Sequence, residues 1–183
     1  MNPTNAIRSV ATLSLLALVL AACGATAPDL TGAQAVRIDD TWDGLSPVAP
    51  LASRFDLKLD ATQFSGTANF SVDGGQRTTS AEIAVPAEVM QAFLKKLAES
   101  FLREGTYEPR IDRSDDFPWI NIEIDLGTEK VTFYSTSQGG SHVPWGATFG
   151  GKTYVIDSDT PAQALKILQP YLKPELLDQL IDQ

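Results

Sequence analysis

Apolar and polar residues alternate along several stretches of the chain, and the alternation predicts β-strands. In residues 54–60 the apolar side chains are Phe55, Leu57 and Leu59, with polar residues between them. Successive side chains of a strand point to opposite faces of the sheet, so an alternating pattern places the apolar residues on a buried face and the polar residues on a solvent-exposed face. The same pattern occurs in residues 64–72, 81–85, 120–126, 131–134 and 152–156, with shorter strand-like pieces near 145–149.

A tight turn is predicted between two of these strands. Asp73-Gly74-Gly75 separates residues 64–72 from residues 81–85. Glycine adopts the positive φ angles that short hairpin turns require, so the two strands are expected to pair as a hairpin.

A different spacing predicts the first helix. Apolar residues recur every three or four positions after Pro86, whose ring presets a helical φ in the first turn. We expect this helix to end near Gly105. The apolar stripe consists of Val89, Met90, Phe93, Leu94, Leu97 and Phe101.

Two further helices are predicted near the end of the chain. The first starts at Asp159 or Thr160, with Pro161 in its first turn, and the second is a short amphipathic helix from Pro174. Strand groups separated by helices are typical of the α+β class. We therefore expect an antiparallel sheet of about six strands with two main helices packed on it, plus a short C-terminal helix.

The chain divides into three parts on this interpretation. Residues 1–22 are a signal peptide, residues 23–53 are a tether and lead-in segment, and residues 54–183 form a single domain. The middle part contains three prolines and an acidic patch, Asp39, Asp40 and Asp43, and shows no sustained apolar period.

The first part has the organisation of a secretory signal. Arg8 is the one charged side chain of residues 1–9, residues 10–20 are apolar, and small residues follow. A basic start, an apolar centre and a small-residue cleavage site are typical of a signal peptide. The apolar run is shorter than the roughly 18 residues that a transmembrane helix needs.

The end of this apolar run carries the chain's only cysteine. The four residues Leu20-Ala21-Ala22-Cys23 resemble the lipobox of bacterial lipoproteins. The resemblance implies cleavage after Ala22 and attachment of diacylglycerol to the Cys23 thiol, with further acylation of the new amino terminus. Two or more acyl chains anchor a protein stably, whereas one chain binds a bilayer only marginally. The expected location is the cell envelope: the outer membrane where the host has one, and otherwise the exterior of the cell membrane.

Charge and cysteine content narrow the function classes further. The net charge is −9, and it becomes −10 without residues 1–22, which hold Arg8 and no acidic residue. An acidic protein is a poor partner for nucleic acid, which is itself a polyanion. With Cys23 acylated, no thiol remains for disulfides or thiol catalysis, and we expect no cofactor.

The candidate ligand-binding residues are aromatic side chains and the single histidine. His142 lies in a loop rich in glycine and hydroxyl residues, beside Ser141. Aromatic faces on such loops stack against sugars or prolines, and the alternative is core and rim packing, since aromatic residues on strands usually lie against a helix. The candidates for a ligand groove are Trp119, His142, Trp145 and Tyr154.

One loop is a candidate metal site. Asp112, Asp115 and Asp116 supply the carboxylate oxygens that Ca²⁺ prefers. Their spacing differs from that of an EF-hand, and solvated or turn-capping acids are the alternative.

Three functions are compatible with these features. The preferred hypothesis is a non-catalytic binding module, tethered to the bilayer and facing the periplasm or cell exterior, with an envelope protein or glycan as partner. The first alternative is an envelope hydrolase that uses His142 with Ser141 or an aspartate. The second is an assembly or structural lipoprotein whose exposed sheet edge accepts a strand from a partner.

Overall fold

A computed structural model describes residues 27–42, 51–106, 119–135, 145–157 and 159–182. Within these ranges nine strands form one antiparallel sheet. The strands are β1 (Ala35–Trp42), β2 (Leu51–Leu59), β3 (Gln63–Val72), β4 (Arg77–Pro86), β5 (Phe101–Glu104), β6 (Trp119–Asp125), β7 (Lys130–Ser135), β8 (Trp145–Phe149) and β9 (Lys152–Ile156).

The order of strands across the sheet is β4-β3-β2-β1-β6-β7-β8-β9-β5. Two meanders, β1 to β4 and β6 to β9, are therefore joined edge to edge through β1 and β6. The joint is fully in register, with Val36 opposite Ile124 and Ile38 opposite Ile122. Since these four side chains are buried, the joint also forms the centre of the hydrophobic core.

The part of the chain that the structure describes also contains three α-helices, which give an α+β fold: α1 (Ala87–Ala98), α2 (Asp159–Leu168) and α3 (Glu175–Ile181). The buried strand residues belong to one hydrophobic cluster that also contains the buried faces of all three helices. Phe93, Leu94 and Leu97 of α1 are completely buried in it. The 3₁₀ turn that precedes β1, Leu30–Gly32, is also held to α1. Gln91 Nε2 donates a hydrogen bond to the Thr31 carbonyl oxygen at 2.9 Å.

The α+β class and the antiparallel sheet agree with the sequence prediction, but the expected number of strands was too low. Across the described residues the sheet has nine strands rather than about six, and the three helices do not divide clearly into two main ones and a short addition. Residues 35–42, assigned to the lead-in segment, form the central strand β1, so the folded domain begins well before residue 54.

The predicted end of the first helix was also wrong. Helix α1 ends at Ala98, and the Ser100 hydroxyl donates a hydrogen bond to the Leu97 carbonyl oxygen at 2.6 Å. Phe101 then begins β5, paired with Ile156 of β9. Its ring contacts Phe133 and Tyr154 edge to face. The apolar side chain of Phe101 therefore packs within the sheet and is not part of the apolar stripe of α1.

The predicted hairpin is confirmed. Strands β3 and β4 pair from Val72 opposite Arg77 onward, and Asp73–Gly75 make the connecting 3₁₀ turn. Gly74 and Gly75 have φ values of 65° and 90°, which is the conformation that glycine permits.

Candidate functional site

A groove lies between the core face of the sheet and the two C-terminal helices. Its volume is about 270 Å³. Strands β1, β2, β3 and β6 supply its floor, because alternate residues of each strand face the helices. The floor consists of Ile38, Asp40, Ser53, Phe55, Phe70 and Ile120.

The opposite wall of the groove is helical and mostly apolar. It comes from α2, from the 3₁₀ turn that follows α2, and from α3. The residues of this wall are Ala162, Leu165, Lys166, Gln169, Leu172, Pro174 and Leu177. A mostly apolar concavity with a few polar groups is the usual composition of a small-molecule site. We call this concavity the Asp40 groove.

Asp40 is the acidic residue of the groove floor. It continues the core-facing series Val36, Ile38, Asp40 of β1, and its backbone neighbours across the sheet are Ser53 and Ile120. Burial disfavours the charged carboxylate and raises the pKa of Asp40 from 3.8 to about 6. Among the described residues, none donates a hydrogen bond to this carboxylate or forms an ion pair with it.

The other face of the sheet is polar, and several of its charged side chains form ion pairs. Asp56 accepts hydrogen bonds from Arg37 Nε at 2.6 Å and from Arg54 Nε at 2.9 Å. Burial of Asp56 acts to raise its pKa, but the two arginines together outweigh it and hold the pKa below the usual value. Arg54 Nε also lies 3.7 Å from Asp39 Oδ1. Since these side chains are partly exposed, each pair contributes at most about 1 kcal/mol.

Two further concavities lie on this polar face. The larger, about 690 Å³, is bordered by Asp39, Arg54, Asn69 and hydroxyl side chains of β3 and β4. The smaller, about 310 Å³, surrounds Arg37 and Asp56. Most of the residues that line these two concavities are polar. Arg37, Asp56 and Arg54 in them form ion pairs, and neither concavity has the mostly apolar lining of the Asp40 groove.

Two of the sequence-predicted ligand residues belong to the core. Trp145 is 3% exposed and Tyr154 is 7% exposed, and both are members of the central hydrophobic cluster. Neither lines the Asp40 groove. Core packing, the alternative that the sequence left open, accounts for both side chains.

Trp119 stands at the start of β6 and is partly exposed. It lies opposite Thr41 of β1, so its side chain belongs to the polar face and not to the groove. Its part in ligand binding stays a prediction.

The remaining predicted site residues lie outside the described residues. These are the ligand candidate His142, the metal candidates Asp112, Asp115 and Asp116, and the processing site at Ala22 and Cys23. Across the described ranges, no three His, Cys, Asp or Glu side chains cluster closely enough to hold a metal ion. No helix within those ranges has the length and apolarity to cross a bilayer.

Sequence reasoning missed the Asp40 groove, although one signal was present. In the sequence, Asp40 stands with Asp39 and Asp43 in one acidic patch. The alternation of Val36 and Ile38 places Asp40, and not Asp39, on the core-facing side of a strand. The helical wall could not be anticipated, because it depends on how distant parts of the chain pack.

Comparison with known proteins gave no match. No protein-family model, no curated protein sequence and no solved structure matches this chain. The geometry of the Asp40 groove is therefore the basis for proposing a function.

Proposed function

We propose that this chain is a lipid-anchored binding module of the cell envelope, which faces the periplasm or the cell exterior and holds a ligand in the Asp40 groove. The anchor is proposed from the resemblance of Leu20-Ala21-Ala22-Cys23 to a lipobox. The binding role is proposed from one observation, the open apolar groove with a carboxylate on its floor.

The carboxylate favours a binding role over a purely structural one. An inward-facing strand position serves stability best when it is apolar, and a half-buried carboxylate that has no partner among the described residues costs free energy. Asp40 follows Ile38 on the inward face of β1 and lies opposite Ile120 of β6. A β-branched or aromatic residue would fit this strand position. Proteins keep residues that oppose folding chiefly where those residues serve a function, and the function that we propose for Asp40 is contact with a ligand.

The proposal is tested by filling the groove from its helical wall. Ala162 lines the groove but is exposed on α2, so Ala162→Trp adds a bulky side chain without altering the core. Gln163 is exposed on the same helix and does not line the groove, which makes Gln163→Trp the matched control. Molecules that copurify with the chain from envelopes are extracted and identified by mass spectrometry.

We expect a small molecule to copurify with the unaltered chain and with Gln163→Trp, and to be lost or reduced at least tenfold in Ala162→Trp. A molecule retained equally by both variants would place the binding site elsewhere and would contradict the groove proposal.

A second candidate function, acceptance of a partner strand, has its own support in β4. This strand is at the edge of the described sheet and pairs only with β3. Over its ten residues it carries two charged side chains, Arg77 and Glu82. Edges with few charges are suited to strand addition. A protein partner that is captured by the chain and is indifferent to Ala162→Trp would favour this function.

A further inference from the structure

We infer that the Asp40 groove selects ligands that join a small apolar body to a cationic ammonium group, and that the Asp40 carboxylate receives the ammonium. This inference rests on the proposed binding function and adds the chemical class of the ligand.

The size and lining of the groove set the apolar part of the ligand. Phe55, Phe70 and Ile120 face Leu165 and Leu177 across it. Apolar surface buried between them contributes roughly 25 cal/mol for each Å². The volume of about 270 Å³ is just below the 300–1,000 Å³ typical of sites for drug-sized molecules. A short alkyl or single-ring body, or one end of a longer chain, fits this space.

The charge of the groove sets the polar part of the ligand. Among the described residues of the lining, Asp40 is the one acidic side chain and Lys166 of α2 is the one other charged side chain. Lys166 is exposed and does not form an ion pair with Asp40 within the described structure. The residues that face Asp40 from β2, β3 and β6 are Ser53, Phe70 and Ile120, none of which carries a charge.

These charges discriminate between ligand classes. A cation would neutralise the Asp40 carboxylate in a poorly solvated place, where a charge-assisted hydrogen bond is stronger than a neutral one. A neutral ligand would leave the carboxylate unpaired, and an anion would add a second negative charge beside it. The preference is therefore for an ammonium over an alcohol, and for an alcohol over a carboxylate.

The same geometry makes binding depend on pH. Burial raises the pKa of Asp40 to about 6, so the carboxylate is mostly ionised above pH 7 and mostly protonated at pH 5. The affinity for an ammonium should therefore rise with pH through this window. The affinity for an alcohol with the same apolar body should change little.

The test uses three probes with one apolar body: hexylammonium, hexanol and hexanoate. The complete chain is held in lipid nanodiscs, and titrations are followed by calorimetry, with empty nanodiscs subtracted to remove partition into lipid. At pH 7.5 we expect hexylammonium to bind about tenfold tighter than hexanol or more, because hydrogen bonds to charged groups contribute about 1.5–3 kcal/mol. Hexanoate should bind most weakly.

Two variants test whether the preference for hexylammonium depends on the Asp40 carboxylate. Asp40→Asn should abolish the preference for hexylammonium while hexanol still binds. Asp39→Asn should keep the preference, since Asp39 faces the opposite side of the sheet beside Arg54. In the unaltered chain, the affinity for hexylammonium should fall about tenfold between pH 7.5 and pH 5, in line with the ionised fraction of Asp40.

The outcomes separate the two proposals. Equal affinities for hexylammonium and hexanol, or a preference that survives in Asp40→Asn, would overturn the ligand class while leaving groove binding in place. If Ala162→Trp removes the binding of none of the three probes, groove binding itself is overturned, and the ligand class is overturned with it.

Discussion

At the scale of single residues, position on a strand decides the chemistry of a side chain. Asp39 and Asp40 are adjacent aspartates, yet one lies beside Arg54 on the polar face and the other lies on the floor of an apolar groove. Sequence alone could not separate them until β1 was recognised as a strand with a buried face. The same reason explains Trp145 and Tyr154, whose aromatic character serves the core.

The burial of Asp40 has a measurable effect on stability. Its pKa is raised from 3.8 to about 6, so the folded state binds more protons than the unfolded state between these values. The free energy of unfolding therefore falls as pH rises through this window, and the loss is complete by about pH 7. A shift of this size corresponds to about 1–3 kcal/mol.

Asp40→Asn is accordingly expected to stabilise the protein at pH 8 by about 1–2 kcal/mol, with a smaller gain at pH 5. Urea unfolding of the purified chain, followed by tryptophan fluorescence, measures the difference. Asp39→Asn serves as the matched control on the exposed face. A loss of stability at pH 8 in Asp40→Asn would show that the carboxylate has a structural partner.

At the scale of elements, the strong local patterns were predictable and the non-local ones were not. Helix α1 begins after Pro86 and the β3–β4 hairpin turns at Asp73–Gly75, both as their sequences indicate. Of the β1 residues whose burial is described, two apolar ones, Val36 and Ile38, belong to the core, and the partner strand β6 begins at Trp119, far along the chain. Such pairing is set by the assembled core and leaves little trace in the local sequence.

Gly66 tests how closely β2 and β3 approach each other. A Cβ atom at this position would lie 1.8 Å from the Asp56 carbonyl oxygen, so Gly66→Ala requires the two backbones to separate. We expect a loss of about 1–3 kcal/mol in the free energy of unfolding, as for other overpacked sites.

Gly32→Ala is the control for this change, because nothing lies within 4 Å of the added Cβ atom and the φ angle is not positive. Its effect should stay within about 0.5 kcal/mol. Thermal unfolding of both variants gives the comparison. Equal changes in stability for Gly66→Ala and Gly32→Ala would mean that strands β2 and β3 separate at no cost in free energy, and would contradict the prediction.

At the scale of the whole molecule, the proposed anchor is the feature that decides location. Cys23→Ser removes the thiol that acylation requires, so the variant should leave the membrane fraction and appear in the soluble envelope fraction. Cell fractionation with immunoblotting measures the change, and mass spectrometry of the amino-terminal peptide shows whether the unaltered chain carries lipid. Unchanged membrane association of Cys23→Ser, or an unmodified thiol in the unaltered chain, would contradict the anchor.

The course of β1 gives the domain a direction. The chain enters the sheet at Ala35. Just before this residue, Leu30 is buried and the Thr31 carbonyl oxygen accepts a hydrogen bond from α1. Asp40 lies five residues after Ala35 on the same strand. At about 3.3 Å for each residue, the groove floor is roughly 17 Å away from that attachment. If Cys23 carries the proposed anchor, the attachment at Leu30 and Thr31 is the part of the described structure nearest to the bilayer along the chain, and Asp40 stands one strand length further on.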